Sequence, residues 1–338
     1  MFTKIYRKLI EFIRSEWKVL TFFAIVIFIT NFPVNYYIIT GGGTISATDR
    51  IDVEDKNKSK GSFHMAYVSE LKGTIYTYLL SYIIPSYERE SLDDYKYDKT
   101  EDENDVLFRN NLLLSNSLNN AIYVAYNKAG KTVEIKSEKL YVYYITDKAE
   151  TDLKIGDEIL EVDGKKIDGV DSLKDVVKDF KENDTINIKI KRDDEVSDKT
   201  VKVYKEKDRL LIGVSLMKDY NYKFDPRVEF TFKSSEGGPS GGLILSLEIY
   251  NQLTKKDITN GKKIVGTGTI DRDGNVGEID GIKHKLSGAV KEDADIFIAP
   301  SGSNYKEALK EKKKNNYKIK IIEAKTFDQV IDELSKLK

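Results

Sequence analysis

The pattern of apolar and polar positions sets the N-terminal end of the chain apart from the rest. Residues 19–48 carry no charge, and residues 19–39 are apolar enough for a bilayer-crossing helix, which takes about 20 residues. Pro33 weakens the second half of this span and favours a helix that ends near it. Residues 1–18 hold more basic than acidic side chains, and such flanks stay in the cytoplasm. We therefore expect a cytoplasmic segment 1–18, a transmembrane anchor 19–39 in the cell membrane, an extracytoplasmic remainder and a turn at Gly41–Gly43. A cleaved signal peptide and a buried core helix are the alternatives, which the lack of an A-x-A site and the basic flank disfavour.

Periodicity predicts the elements that follow the anchor. Alternation indicates a strand over residues 62–68, and an apolar run indicates a short helix over residues 74–84. The acidic run in residues 85–105 is typical of a solvated loop. Apolar residues at helical spacing then predict a helix from Asp105 to Lys128, which Gly130 can end.

Residues 133–207 have the alternating pattern of a small β-rich domain with one helix, Ser172–Phe180. The run Leu153–Ile167 reads L-x-x-G-D-x-I-L-x-V-D-G-x-x-I, and it resembles PDZ domains. PDZ domains add an extended peptide to a sheet edge beside a helix, so the resemblance implies a groove between Lys139–Thr146 and Ser172–Phe180. Ser137–Tyr141 stands where PDZ domains have a Gly-containing carboxylate loop. Capture of a free C-terminus and binding of an internal peptide segment are therefore the two alternatives.

A glycine-rich turn in residues 236–242 carries the sharpest chemical signal. It reads E-G-G-P-S-G-G, follows a predicted strand and precedes apolar residues at helical spacing from Leu243 onward. Ser240 is therefore expected near the first turn of a helix. Unpaired backbone N–H groups there can receive the negative oxygen that forms when a serine attacks a carbonyl. Gly238 and Gly241 would let a substrate approach the backbone closely.

Composition narrows the chemistry that can accompany this serine. The chain has 338 residues, with 55 Lys and Arg against 56 Asp and Glu, and no cysteine. Balanced charge argues against a nucleic-acid partner, and the lack of cysteine excludes thiol nucleophiles and Cys-rich metal sites. Because His64 and His284 are the only histidines, we expect neither a metal nor another cofactor. Lys285, at the start of another predicted helix, is the candidate base for Ser240, and it must be neutral to act, which burial promotes.

Several blocks of the C-terminal third resemble the proteolytic domain of Lon proteases, and together they cover most of residues 210–338. The blocks are Gly238–Gly242, Gly266–Ile270, Asp273–Asn275, Val276–Ile279, Gly281–Lys285 and Ile296–Pro300. The resemblance implies that Ser240 is the nucleophile and Lys285 the base of a Ser-Lys dyad that works through an acyl-enzyme. Gly238, Gly241 and Thr267 would support the site or the oxyanion.

With its anchor and PDZ-like unit, the whole chain resembles the membrane-anchored PDZ–Lon serine proteases of Gram-positive bacteria, the YlbL and SepM type. This implies an α/β (α+β) Lon-like domain split across residues 40–132 and 208–338, with the PDZ-like unit 133–207 inserted and one N-terminal transmembrane helix. Peptides or proteins outside the cell membrane would be the substrates. The sequence has no ATPase module, so ATP-independent cleavage is expected. Both a monomer and a homo-oligomer, like the hexameric ring of Lon proteases, are left open.

Residues close to Lys285 in the sequence offer rival roles. Lys283 would face another direction on a helix and is expected to be solvated. His284 would point about 100° away from Lys285, so a catalytic role is disfavoured. Glu278 and Asp280 must point elsewhere, because an ion pair would keep the Lys285 amine charged and make it a poor base.

The candidate site residues also have less specific interpretations, in which the chain need not be an enzyme. Ser240 alone could be a helix cap, Lys285 a surface lysine, and Thr267 an ordinary strand threonine rather than a residue that orients the lysine. The alternative function is a catalytically silent PDZ scaffold that binds extracytoplasmic peptides. A nucleotide-binding protein is disfavoured, because no complete phosphate-binding loop is present.

Overall fold

The computed structural model describes residues 2–97, 101–233, 236–254 and 256–337. The helices, in chain order, are α1 Phe2–Thr30, α2 Ile75–Leu80, α3 Glu103–Lys128, α4 Val170–Val177, α5 Gly242–Leu253, α6 Ile282–Lys291, α7 Ser303–Lys314 and α8 Phe327–Ser335. The strands are β1 Pro33–Ser46, β2 Ile51–Val53, β3 Ser62–Thr74, β4 Glu88–Ser91, β5 Thr132–Ile145, β6 Glu158–Val162, β7 Thr185–Arg192, β8 Glu195–Lys202, β9 Tyr204–Glu206, β10 Arg209–Leu211, β11 Val214–Asp225, β12 Val228–Phe230, β13 Lys263–Gly266, β14 Thr269–Ile270, β15 Val276–Gly277, β16 Ile296–Pro300 and β17 Lys320–Ala324.

The chain forms two compact units, and the first consists of the residues up to Gly41 together with Val68–Tyr95. It contains α1, α2 and β4, and β4 pairs antiparallel with residues 36–39 of β1. The helix ends near Pro33, as predicted: α1 stops at Thr30 and the chain continues as a strand from Pro33, so the last residues of the 19–39 span are not helical. None of the helices that the structure describes has the combination of length and hydropathy needed to cross a membrane.

Two further expectations for this part of the chain need correction. The turn predicted at Gly41–Gly43 lies inside β1, and a Cβ on Gly42 would come within 2.2 Å of the Tyr67 carbonyl oxygen. These glycines thus permit a close approach of two backbones instead of a reversal of direction. The acidic run 85–105 is also not one solvated loop, since it includes β4 and a 3₁₀ turn over Leu92–Tyr95. Residues 98–100 lie outside the described residues.

The second unit, Gly42–Tyr67 and Lys96–Lys338, holds a core built from both sides of the PDZ-like segment. Its sheet has the strand order β17-β16-β13-β3-β1, and the first four of these strands are parallel. Helices α3 and α5 pack in this core, which includes Ala121 and Tyr126 of α3 and Leu243 and Leu247 of α5. Residues before 132 and after 228 thus share one core, while the exact domain bounds stay a prediction.

A separate core lies in the antiparallel sheet β11-β5-β6-β7-β8 and the helix α4. Its buried members include Val142, Ile159 and Ile188 from the strands and Leu173 and Val176 from the helix. The predicted helix of this segment is present but shifted, because α4 begins at Val170 and ends at Val177 instead of running from Ser172 to Phe180.

Helix α3 forms where its periodicity predicts it. Asp102 caps its first turn by accepting from the Asn104 and Asp105 amides, so the cap lies slightly earlier than the predicted start. Gly130 follows the helix with φ +64°, a conformation that glycine adopts without strain.

A buried carboxylate on α5 makes stability depend on pH. Glu248 accepts hydrogen bonds from Gln252 Nε2 at 2.6 Å and Thr48 Oγ1 at 3.0 Å, and burial raises its pKa above the ordinary 4.5. The folded state then holds a proton that the unfolded chain releases, so the free energy of unfolding falls as pH rises from about 4.5 toward the raised pKa. We expect Glu248→Gln to lack this fall, which urea titrations between pH 4 and pH 8 would measure.

The exposed Glu195→Gln is the matched control for this titration, and it should keep the pH dependence of the unmodified chain. Equal slopes of stability against pH for Glu248→Gln and the unmodified chain would contradict the assignment.

Candidate active site

Ser240 lies in the turn that leads into α5, as the glycine-rich pattern predicts. Gly241 is the N-cap of this helix, and Gly238 has φ +84°, a conformation that side chains rarely adopt. Within the described part of the chain, neither the Ser240 amide nor the Gly241 amide donates to a main-chain carbonyl. These two N–H groups at a helix N-terminus are suited to stabilise a negative oxygen.

Gly241 needs its small size rather than an unusual backbone angle. Its φ is −91°, but a Cβ would lie 2.7 Å from Met65 Sδ of β3. Met65 fills the space that an alanine methyl would take at this position.

Residues from distant parts of the chain fix the loop Glu236–Ser240, which we call the nucleophile loop. Arg50 forms a two-bond ion pair with Glu236, with N–O distances of 2.6 and 2.9 Å, and this hydrogen bonding lowers the pKa of the Glu236 carboxyl. Ser117 Oγ of α3 donates to the Pro239 carbonyl at 3.0 Å. The segment Glu236–Pro239, directly before Ser240, is therefore held at both of its ends.

The structure connects Lys285 to Ser240 through Thr267. Lys285 Nζ donates to Thr267 Oγ1 at 3.3 Å, and Thr267 Oγ1 donates to the Ser240 carbonyl at 3.0 Å. The Gly268 amide donates to the same carbonyl at 2.8 Å. Lys285 is only 4% exposed and Thr267 is fully buried, so the amine has lost most of the water that would solvate its charge. Of the alternatives for Thr267, this contact matches the one in which it orients the lysine.

Glu278 is bonded to the start of α7, and the neighbours of Lys285 on α6 differ in burial. Glu278 accepts from the Ser303 amide at 2.6 Å and from Ser303 Oγ at 2.8 Å, so it is directed to the start of α7. His284 is buried on α6, and burial together with the charge of Lys283 lowers its pKa. Lys283 is half-buried, less than Lys285.

The predicted peptide groove beside β5 is wrong in position. Both edges of β5 are paired, one with β6 and the other along its length with β11. Among the described strands, β11 is the end of the sheet, and Leu216 of β11 packs in one core with Leu173 and Val176 of α4. The sheet edge beside the helix is therefore β11, which follows the predicted 133–207 segment in sequence.

Two family models match the chain. One is the PDZ domain, over residues 129–203, and the other is the C-terminal proteolytic domain of Lon protease (S16), over residues 234–336. The chain contains a PDZ domain and a Lon-type proteolytic domain. The Lon-type domain supports a serine peptidase, and both domains imply peptide or protein substrates. Strand β11 lies between the two matched segments.

Three of the solved structures that match this chain each cover about a quarter of it. The PDZ domain of an SdrC-like protein from Listeria monocytogenes is 25% identical and covers 25% of this chain and 92% of its own, with a TM-score of 0.22. The second domain of the Listeria protein Lin2157 is 24% identical over 25% and 90%, with a TM-score of 0.22. GtR34C from Geobacillus thermodenitrificans is 18% identical over 23% and 94%, with a TM-score of 0.21. No curated protein matches the chain.

Sequence reasoning missed the residues that hold the nucleophile loop. Arg50 and Ser117 come from segments far before Ser240, and nothing in their local pattern distinguishes them from other polar residues. The asparagine- and serine-rich face of α3 was the available signal, because polar residues on the buried side of a helix require partners.

Proposed function

We propose that the chain is an ATP-independent serine endopeptidase in which Ser240 is the nucleophile and Lys285 the general base. The observation that carries this proposal is the buried Lys285 amine, which Thr267 ties to the backbone of Ser240 beside a glycine-rich helix N-terminus. A buried lysine next to a serine in such a loop is costly unless it has a function.

In the proposed reaction, neutral Lys285 takes the proton from the Ser240 hydroxyl as its oxygen attacks the peptide carbonyl. The Ser240 and Gly241 amides would stabilise the resulting oxyanion. The intermediate then breaks the C–N bond, and Lys285 returns the proton to the leaving amine, which leaves an ester on Ser240. Water attacks this ester as Lys285 takes its proton, and the acid product leaves when the proton returns to Ser240.

We propose that peptides reach the enzyme through the β11 edge of the PDZ domain. An extended segment would pair with β11 beside α4, in the way in which PDZ domains add a strand. Gly213 directly precedes β11, has φ +70° and leaves no room for a Cβ beside Thr146. Gly213 would thus supply before β11 the Gly-containing loop that is missing before β5, and this supports capture of a free C-terminus as well as of an internal segment.

We also propose that the N-terminal unit holds the enzyme at the cell membrane with its catalytic domain outside. The uncharged stretch 19–48 and the basic flank 1–18 support this. Large apolar side chains exposed along α1 support it too: Phe12, Trp17, Phe22, Phe23, Ile27 and Phe28.

The test of the proposed function is covalent labelling of the full chain by a fluorophosphonate, a reagent that reacts with activated serines. We expect one label per chain at Ser240, located by mass spectrometry, and no label in Ser240→Ala. Ser301→Ala, which changes a serine paired with Glu323, serves as the control and should label normally. A folded, unmodified chain that takes no label would favour the silent PDZ scaffold.

A further inference from the structure

Helix α3 contacts both the edge strand of the PDZ sheet and the loop that carries the nucleophile. Ser115 Oγ and Asn119 Nδ2 donate to Asp219 Oδ1 of β11, at 2.7 and 2.9 Å. Elsewhere on the helix, Ser117 Oγ donates to the Pro239 carbonyl at 3.0 Å. One helix therefore connects β11, the edge strand of the PDZ sheet, with the nucleophile loop of the Lon-type domain.

The two sets of contacts lie on opposite sides of α3. At 100° per residue, positions 117 and 119 are about 200° apart around the helix. Asn110 is seven residues before Ser117, on the same side, and its carbonyl accepts from the Gly238 amide at 3.4 Å. The helix thus stands between β11 on one side and the nucleophile loop on the other.

These contacts are difficult to break one at a time. Ser117 and Asn119 are buried, and a buried polar group that loses its partner destabilises the protein, because water does not replace the lost hydrogen bond. Asn116 Nδ2 adds a contact to the Lys218 carbonyl at 3.3 Å, next to Asp219 on β11. A displacement of β11 is therefore expected to move α3 with it rather than to slide past it.

We propose that α3 positions the Ser240 loop according to the state of β11, with Asp219, Asn119 and Ser117 as positioning residues. This inference rests on the proposed peptidase and on peptide addition along β11. Packed helices shift by about 1–2 Å in known switches, and a misplacement of about 1 Å at a reacting group can cost about a hundredfold in rate. A peptide paired with β11 would thus align the serine before cleavage.

The first test removes the acceptor on β11 and needs no peptide. Asp219→Ala takes away the partner of Ser115 and Asn119, and we expect fluorophosphonate labelling of Ser240 to slow by about tenfold, a typical size for coupling between sites. Asp219→Asn keeps an Oδ1 acceptor and should restore the rate to within about twofold. The melting temperatures of the two variants separate positioning from a fold defect. If Asp219→Ala and Asp219→Asn melt at the same temperature but label at different rates, a fold defect does not explain the slower labelling.

Asn127→Ala is the matched control, because its Nδ2 donates to the Tyr123 carbonyl of the same helix. Its labelling rate should equal that of the unmodified chain. An undiminished rate in Asp219→Ala, or an equal loss in Asn127→Ala, would overturn the inference.

A double-mutant cycle then tests whether the effect passes through α3. If it does, adding Asp219→Ala to Ser117→Ala, which has already broken the contact to Pro239, should slow labelling only a little further. If the two effects are independent, the fold-losses in labelling rate should multiply. Multiplied effects would count against the connection.

Amide hydrogen exchange of residues 236–243 separates this inference from the proposed function. A chain whose Ser240 takes no label would refute the peptidase, but faster exchange of these amides in Asp219→Ala than in Asn127→Ala would still support the connection. Unchanged exchange would refute the connection even in an active enzyme.

Discussion

Replacing Lys285 with methionine is expected to lower peptide hydrolysis by at least about a thousandfold while the fold is retained. Methionine suits a buried position and has a similar length, but it cannot take the proton from Ser240, and loss of one member of such a catalytic set removes most of its rate enhancement. Lys285→Arg should be equally inactive, because its guanidinium stays charged. Mass spectrometry of peptides released from extracytoplasmic proteins in membrane preparations would measure the loss.

Lys283→Met is the matched control, since Lys283 lies two residues away on the same helix and is more exposed. It should retain hydrolysis within about twofold. The rate of the unmodified enzyme should fall as pH is lowered, because a protonated Lys285 cannot act as a base. If Lys285→Met retained activity and Ser240→Ala lost it, the nucleophile would stand and another base would be needed.

Arg109→Met is expected to lower the free energy of unfolding by about 3–5 kcal/mol, because it leaves a buried carboxylate without its partner. Arg109 pairs with Glu101, and both side chains are at most 3% exposed. The Arg109 guanidinium also stacks on the ring of Tyr97, whose amide donates to Glu101 Oε2 at 2.9 Å. Urea unfolding followed by circular dichroism would measure the loss.

Lys174→Met provides the comparison, because it breaks an ion pair with Asp171 in which both side chains are largely exposed. Its effect should stay below about 0.5 kcal/mol, the range of surface pairs. Comparable losses in the two variants would show that burial does not govern the Glu101–Arg109 pair. The pair also explains why the acidic run is not wholly solvated, because the Glu101 carboxylate is buried where Arg109 pairs with it.

The nucleophile region was predictable because its signals are local. A glycine-rich turn before apolar residues at helical spacing specifies a helix start, and α5 begins two residues after Ser240. The contact from Lys285 through Thr267 is different in kind. It depends on β13 lying beside β16 and on the position of α6, so the sequence offers Thr267 either as the residue that orients the lysine or as an ordinary strand threonine and does not decide between them.

Strand pairing was the main feature that the sequence left undetermined. Alternation tells which face of a strand is buried but not which strand lies next to it, so the pairing of β11 with β5 could not be read from either pattern. The strand over the last residues of the apolar span 19–39 was missed for a related reason. Apolar composition suits a helix or a strand, and Tyr36, Tyr37 and Ile38 are residues that favour strands.

The mixed origin of the core that surrounds α5 has a consequence for synthesis. Ala47, near the beginning of the chain, shares this core with Val330 and Leu334 of the last helix. The buried residues of the PDZ core end at Leu216, so that domain can fold while the ribosome is still making the rest. The proteolytic core is incomplete until α8 has emerged. The proposed peptidase site is therefore expected to assemble only after α8 has been synthesised.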